Sequence, residues 1–150
     1  MHFMNVRSVC HRRAVCASTS ATLSEVAILM SSEHVGAIIV TRGGKDQRVV
    51  GVVTDRDIVC AQLEHVADLS RLSAGDTMTS DPLVFEEAES IGTAIAQLHA
   101  RGVRRAPVVR ADGSAVGLIS TDDLLRYLAT TIIGMAEMVA RGIRREHARN

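Results

Sequence analysis

The chain has 150 residues in which 17 acidic and 17 Lys or Arg side chains cancel, so it lacks the basic footprint of a general nucleic-acid binder. Two Phe, one Tyr and no Trp leave too few rings for a platform on which single-stranded bases stack. No run approaches the ~18 apolar residues of a membrane span, and the first residues have no apolar signal core, so the expected location is the cytoplasm.

Ala14 to Ala17 reads as a short extended segment. Leu23, Val26, Ala27 and Met30 recur at helical spacing behind a Thr or Ser cap, which predicts a helix. Val35 to Val40 is a β-branched run, Arg42 to Asp46 a turn, and Val49 to Val53 a second strand. Thr54 ends that strand and Asp57 opens another helix. Asp68 to Thr77 is polar and reads as a connection.

The order then repeats: Pro82 to Phe85 extended, Ser90 to Leu98 helical, Val103 to Val109 a strand, Ala111 to Ser114 a hairpin turn, Ala115 to Ile119 a strand, and a helix from Asp123. The two copies differ in length only in the turn, where insertions are tolerated. An apolar helical stripe continues from Leu128 to Ile143 and ends among Arg141, Arg144, Arg145 and Arg149, cations that suit a helix C-terminus. The expected division is 1–66 for the first repeat, 67–129 for the second with its connection, and 130–150 for a C-terminal helical extension.

The repeat is polar as well as apolar. Val50-Gly51-Val52-Val53-Thr54-Asp55-Arg56-Asp57 matches Val116-Gly117-Leu118-Ile119-Ser120-Thr121-Asp122-Asp123, with a hydroxyl and an aspartate three residues later at the mouth of each strand. A carboxylate accepts the two hydrogen bonds that a ribose diol presents, and a hydroxyl at a helix start suits a phosphate. The same spacing is also that of a capping box, although Asp is shorter than the usual Glu or Gln. Asp55, Arg56 and Asp122 read as surface or helix-start charges.

Glycine, two apolar residues, Thr or Ser, and Asp after an apolar strand, twice in tandem, resembles the paired CBS domains called a Bateman module. The resemblance covers about Val6 to Tyr127. It implies an α/β fold in which two strand-helix-strand-strand-helix repeats pack about a pseudo-twofold axis, with two clefts for adenosine ligands and pairing into homodimers. Each cleft would be shared between repeats. Ser120 and Asp123 would face Val15, Val35, Gly36 and Ala37, whereas Thr54 and Asp57 would face Leu83 and Val103. Arg104, Arg105 and Pro107 resemble the family's phosphate-contact pattern, which the first copy lacks, so the two clefts are expected to be unequal. Adjacent strand residues point to opposite faces, so at most one of Arg104 and Arg105 is expected in a given cleft.

These features predict a regulatory module that binds AMP, ADP or ATP without catalysis, needs no resident cofactor, and signals to an effector protein. The spacing shows no nucleophile-base pair and no zinc pattern. Two other readings are open. One is a ligand-free dimeric scaffold whose C-terminal helix docks a partner. The other is a redox module using Cys10, Cys16 or Cys60, which otherwise read as small buried thiols.

Overall fold

The computed structural model describes residues 4–10, 13–65 and 68–147. The expected boundary at 66/67, Arg149 and the first three residues lie outside them.

Each repeat builds a sheet with a helix pair packed on it. In the first, helix α2 (Leu23–Glu33) turns Leu23, Val26 and Met30 inward, and a capping box between Thr22 and Glu25 fixes its start. Strand β1 (Cys16–Ser18) pairs in parallel with β2 (Ala37–Gly43), which pairs antiparallel with β3 (Asp46–Thr54). Helix α3 (Asp55–His65) follows directly, and β4 (Thr79–Ser80) completes the order β1-β2-β3-β4. The predicted turn from Arg42 is shorter than expected, because β2 continues to Gly43 before the chain reverses.

The second repeat has β5 (Phe85–Glu86), α5 (Ile91–Arg101), β6 (Arg105–Val109), β7 (Ala115–Ser120) and α6 (Thr121–His147), with sheet order β5-β6-β7. Pro107 lies in the central strand. The break in hydrogen bonding is tolerated there because β5 pairs with β6 only at Val108 and Val109. Helix α6 runs past residue 130 without interruption.

The two cores exchange their leading segments. Helix α1 (Val6–Val9) precedes the first repeat, yet Val6, Val9 and Cys10 are buried with Phe85, Ile91, Leu98 and Ile119 of the second. The stretch Asp68 to Thr77 is more ordered than a connection. It forms a 3-10 turn (Leu69–Arg71) and helix α4 (Ala74–Thr77), and Ala74 and Met78 pack into the first core. Hydrogen bonds from Ala14 N–H to Val116 O (3.2 Å) and Val49 N–H to Gly113 O (3.2 Å) also tie the repeats together. Among the described residues, no helix is long and apolar enough to cross a membrane.

Candidate functional site

Ser120 ends β7 and Asp123 lies in the first turn of α6, so the strand-to-helix corner holds both at the edge of a cavity of about 190 Å³. The opposite wall comes from the first repeat, where Val15 precedes β1 and the chain from His34 to Ala37 leads from α2 into β2. Ile39 and Leu118 extend the apolar lining, and the guanidinium-bearing Arg13, Arg105 and Arg126 surround it. The cavity therefore joins a carboxylate, apolar strand edges and three cations across the repeat boundary.

The carboxylate is oriented by its own corner. Asp123 is buried, and its Oδ2 accepts hydrogen bonds from the Ser120 N–H (3.0 Å) and hydroxyl (2.6 Å), while the Asp123 N–H donates to Ser120 Oγ (3.2 Å). Thr54 and Asp57 repeat the arrangement, with Asp57 Oδ2 accepting from the Thr54 N–H (2.7 Å) and hydroxyl (2.7 Å). Asp is thus not too short for a capping box. The sharp corner brings backbone and carboxylate together. In both copies the carboxylate's share of the cap falls on Oδ2, so Oδ1 of Asp123 takes no part in it.

Thr54 lines a second, wider cleft of about 420 Å³ with Leu83, Val103, Arg104 and Arg105. Asp57 does not itself line it, but its carboxylate accepts from the Thr54 hydroxyl that does, at 2.7 Å. Asp55 and Arg56 border the same cleft and Asp122 borders the Asp123 cleft, and all three are exposed at helix starts, where the sequence places them.

Strict alternation also fails for the two arginines. Both line the Thr54 cleft, because β6 starts at Arg105 and Arg104 precedes the regular pleat. Arg105 in addition lines the Asp123 cleft and donates from Nη1 to Gly36 O at 2.9 Å. The same carbonyl accepts the Asp55 N–H (3.2 Å) at the start of α3. In the second repeat the corresponding carbonyl, that of Arg104, takes the Thr121 N–H (2.9 Å) and hydroxyl (3.1 Å) instead. Arg105 thus occupies in one repeat the role that a hydroxyl fills in the other, which makes the two clefts chemically unequal.

Arg13, His34 and Arg126 were not among the residues singled out from sequence. The position of Arg126, one helical turn after Asp123, was the available signal for it. His34 ends α2 in a left-handed conformation (φ 53°), where the second repeat has Gly102 (φ 63°). A side chain there carries backbone strain of about 1 kcal/mol, and the fold holds it at the cleft. Of the cysteines, Cys10 is buried and Cys16 half-buried with its thiol pKa raised by burial, whereas Cys60 is exposed on α3 rather than buried. Among the described residues, no three His, Cys, Asp or Glu side chains gather as a metal site.

Comparison with known proteins finds the CBS domain pattern at residues 6–64 and 74–130. Hypoxic response protein 1 of Mycobacterium tuberculosis is 29% identical over 123 residues, covering 81% of this chain and 83% of that protein. A solved CBS domain protein of Pyrobaculum aerophilum, complexed with AMP, superposes with a TM-score of 0.74 at 28% identity, covering 85% of this chain and 99% of the other. The CBS domain pair of protein MJ0100, in complex with 5'-methylthioadenosine and S-adenosylmethionine, shares the fold with a TM-score of 0.76 at 16% identity, covering 86% and 98%. Two matched copies, two exchanged cores and a shared cleft have one reading: the chain belongs to the CBS domain family, as a tandem pair.

Proposed function

We propose that the chain is a regulatory module, without catalysis of its own, that binds AMP, ADP or ATP in the Asp123 cleft and passes the occupied state to an effector protein. We further propose that it acts as a cytoplasmic homodimer. The observation that carries the nucleotide reading is the composition of the cleft: a buried carboxylate with an oxygen outside its cap, apolar strand edges, and Arg13, Arg105 and Arg126 around one cavity. In this reading Asp123 accepts from the ribose hydroxyls, Ser120 and the start of α6 face the phosphate, and adenine lies between Val15, Val35, Ala37 and Leu118. The AMP complex of the Pyrobaculum aerophilum protein supports the ligand class.

A nucleotide needs more room than about 190 Å³. Arg105 is the exposed side chain whose release from Gly36 O would enlarge the cleft, and its guanidinium is then available to phosphate. Because that hydrogen bond joins the second repeat to the first, its loss alters how the repeats are held together. A ligand shifts this equilibrium only by its differential affinity for the open arrangement. The Thr54 cleft, with Leu83, Val103, Arg104 and Arg105 but without Asp57 in its wall, is the weaker candidate.

A thermal-shift panel of AMP, ADP, ATP, S-adenosylmethionine and NAD, with and without magnesium, tests the reading. Stabilisation by at least one adenosine nucleotide is expected. No shift with any of them would refute it and favour the ligand-free scaffold, for which the exposed apolar side of α6 is the supporting observation.

A further inference from the structure

The closing helix is far longer than the repeat requires. The CBS pattern ends at residue 130, but α6 continues to His147, and its 27 residues span about 40 Å. Its inner contacts come from the first two turns, where Leu124 is buried and Tyr127 packs against the second core. Beyond them the helix meets solvent on nearly every side, yet it is not polar.

Leu125, Leu128, Ile132, Met135 and Val139 follow the 3-4 spacing of a heptad repeat, and Gly142 takes the next place. Met138 and Ile143 flank the stripe, and these seven apolar side chains are between 39% and 73% exposed, whereas Ile133 lies one heptad after Arg126 and faces away from it. Arg126, Thr130, Glu137, Arg141 and Arg144 lie on the other side, where Arg141 pairs with Glu137 at 3.7 Å. A helix with an exposed apolar stripe is marginal alone in water, and burying that stripe on a partner surface is what stabilises such a segment.

We propose that this stripe pairs with the α6 of a second copy of the chain as a short two-stranded coiled coil. Three observations select that occupant. The heptad stripe is complementary to itself, as pairing about a twofold axis requires. β-branched Ile132 and Val139 at one core position, alternating with Leu128 and Met135, which are not branched at Cβ, at the other, form the pattern of parallel pairs. Gly142 has open space where a side chain would start, which permits close approach of the helices. The exposed area of these seven side chains is on the order of 800 Å² per chain, comparable to the ~800 Å² contributed by each partner in a standard interface.

The inference rests on the homodimer reading but not on nucleotide binding. Sedimentation equilibrium on the full chain, Ile132→Asp/Val139→Asp, and Thr130→Glu on the polar side tests it, with circular dichroism and thermal melting as checks on the fold. A dimer of micromolar or tighter affinity is expected for the wild type and Thr130→Glu. The double variant should keep the fold and dissociate about 100-fold more readily or worse, because each copy would bury two unpaired carboxylates. A monomeric wild type would overturn both the homodimer and this interface. A double variant that stays dimeric would overturn the interface alone. Binding of wild-type monomers to anionic vesicles, lost in the double variant, would assign the stripe to a membrane surface and overturn the proposal.

Discussion

The exchange of leading segments makes an unusual stability prediction, because α1 stands beside the first repeat in sequence and closes the core of the second. Val6 and Val9 are 0% and 1% exposed against Phe85 and its neighbours. The helix is tied in place by Val6 N–H to Glu89 O (2.8 Å), Arg7 N–H to Glu87 O (3.1 Å) and an Arg7–Glu87 ion pair (3.4 Å). Each Val→Ala change deletes the equivalent of two buried methylenes, about 1.6 kcal/mol by transfer, and the cavity left behind adds to it. Val6→Ala/Val9→Ala together should cost about 3–5 kcal/mol, a large share of the ~5–15 kcal/mol typical of a domain. For a chain of this size that lowers the melting temperature by roughly 10 °C. Thermal melts give the magnitude, and hydrogen exchange gives the place. Protection should fall first in β6 and β7, with β2 and β3 following. Loss confined to β2 and β3, or a cost below about 1 kcal/mol, would refute the packing argument.

His34→Gly should relieve left-handed strain and stabilise the fold by up to about 1 kcal/mol, while weakening nucleotide binding by removing a side chain from the cleft; denaturant melts and calorimetry separate the two effects. Asp46, on the exposed hairpin, is held at a pKa of about 2 by its side-chain hydrogen bond with Arg48. A lowered carboxylate pKa means that the contribution of this pair is fully present above the ordinary value of 3.8 and is lost as pH falls through about 2, so NMR of the Asp46 carboxylate should show ionisation persisting well below pH 3.8. Cys60 is exposed, whereas burial raises the Cys16 thiol and encloses Cys10. Alkylation followed by mass spectrometry should therefore label Cys60 first, and earlier labelling of Cys10 would contradict its place in the core.

The duplication was legible because it is written twice, in apolar strand runs and in the Thr54–Asp57 and Ser120–Asp123 pairs. Crossing of the repeats over each cleft was implied by family resemblance alone, since no local pattern says that Val35 faces Ser120. The short reach of Asp does not prevent a capping box here, because the chain turns sharply from strand to helix at both sites. Asp57 and Asp123 look equivalent in sequence, yet Asp123 is buried in the wall of its cleft, whereas Asp57 is half-buried and meets the second cleft through Thr54. That difference depends on how the opposite repeat closes over each corner. Arg13 and His34 were hidden for a similar reason: residues before a strand and at the end of a helix join the site only when the second repeat is brought against the first. The helix past residue 130 was legible as an apolar helical stripe continuing the closing helix, whereas the exposure of that stripe depends on what packs against it in three dimensions.

Calorimetric titration of AMP, ADP and ATP into the wild type, Asp123→Ala and Asp57→Ala tests the nucleotide assignment most directly. Both substitutions remove a capping carboxylate and should cost the fold a similar ~1 kcal/mol, so they control for each other in stability. They should differ in binding. Loss of charge-assisted hydrogen bonds at Asp123 is worth about 2 kcal/mol, or roughly 30-fold in affinity, whereas Asp57→Ala should leave the principal site nearly intact. Equal nucleotide affinity for the wild type and both variants would contradict the account.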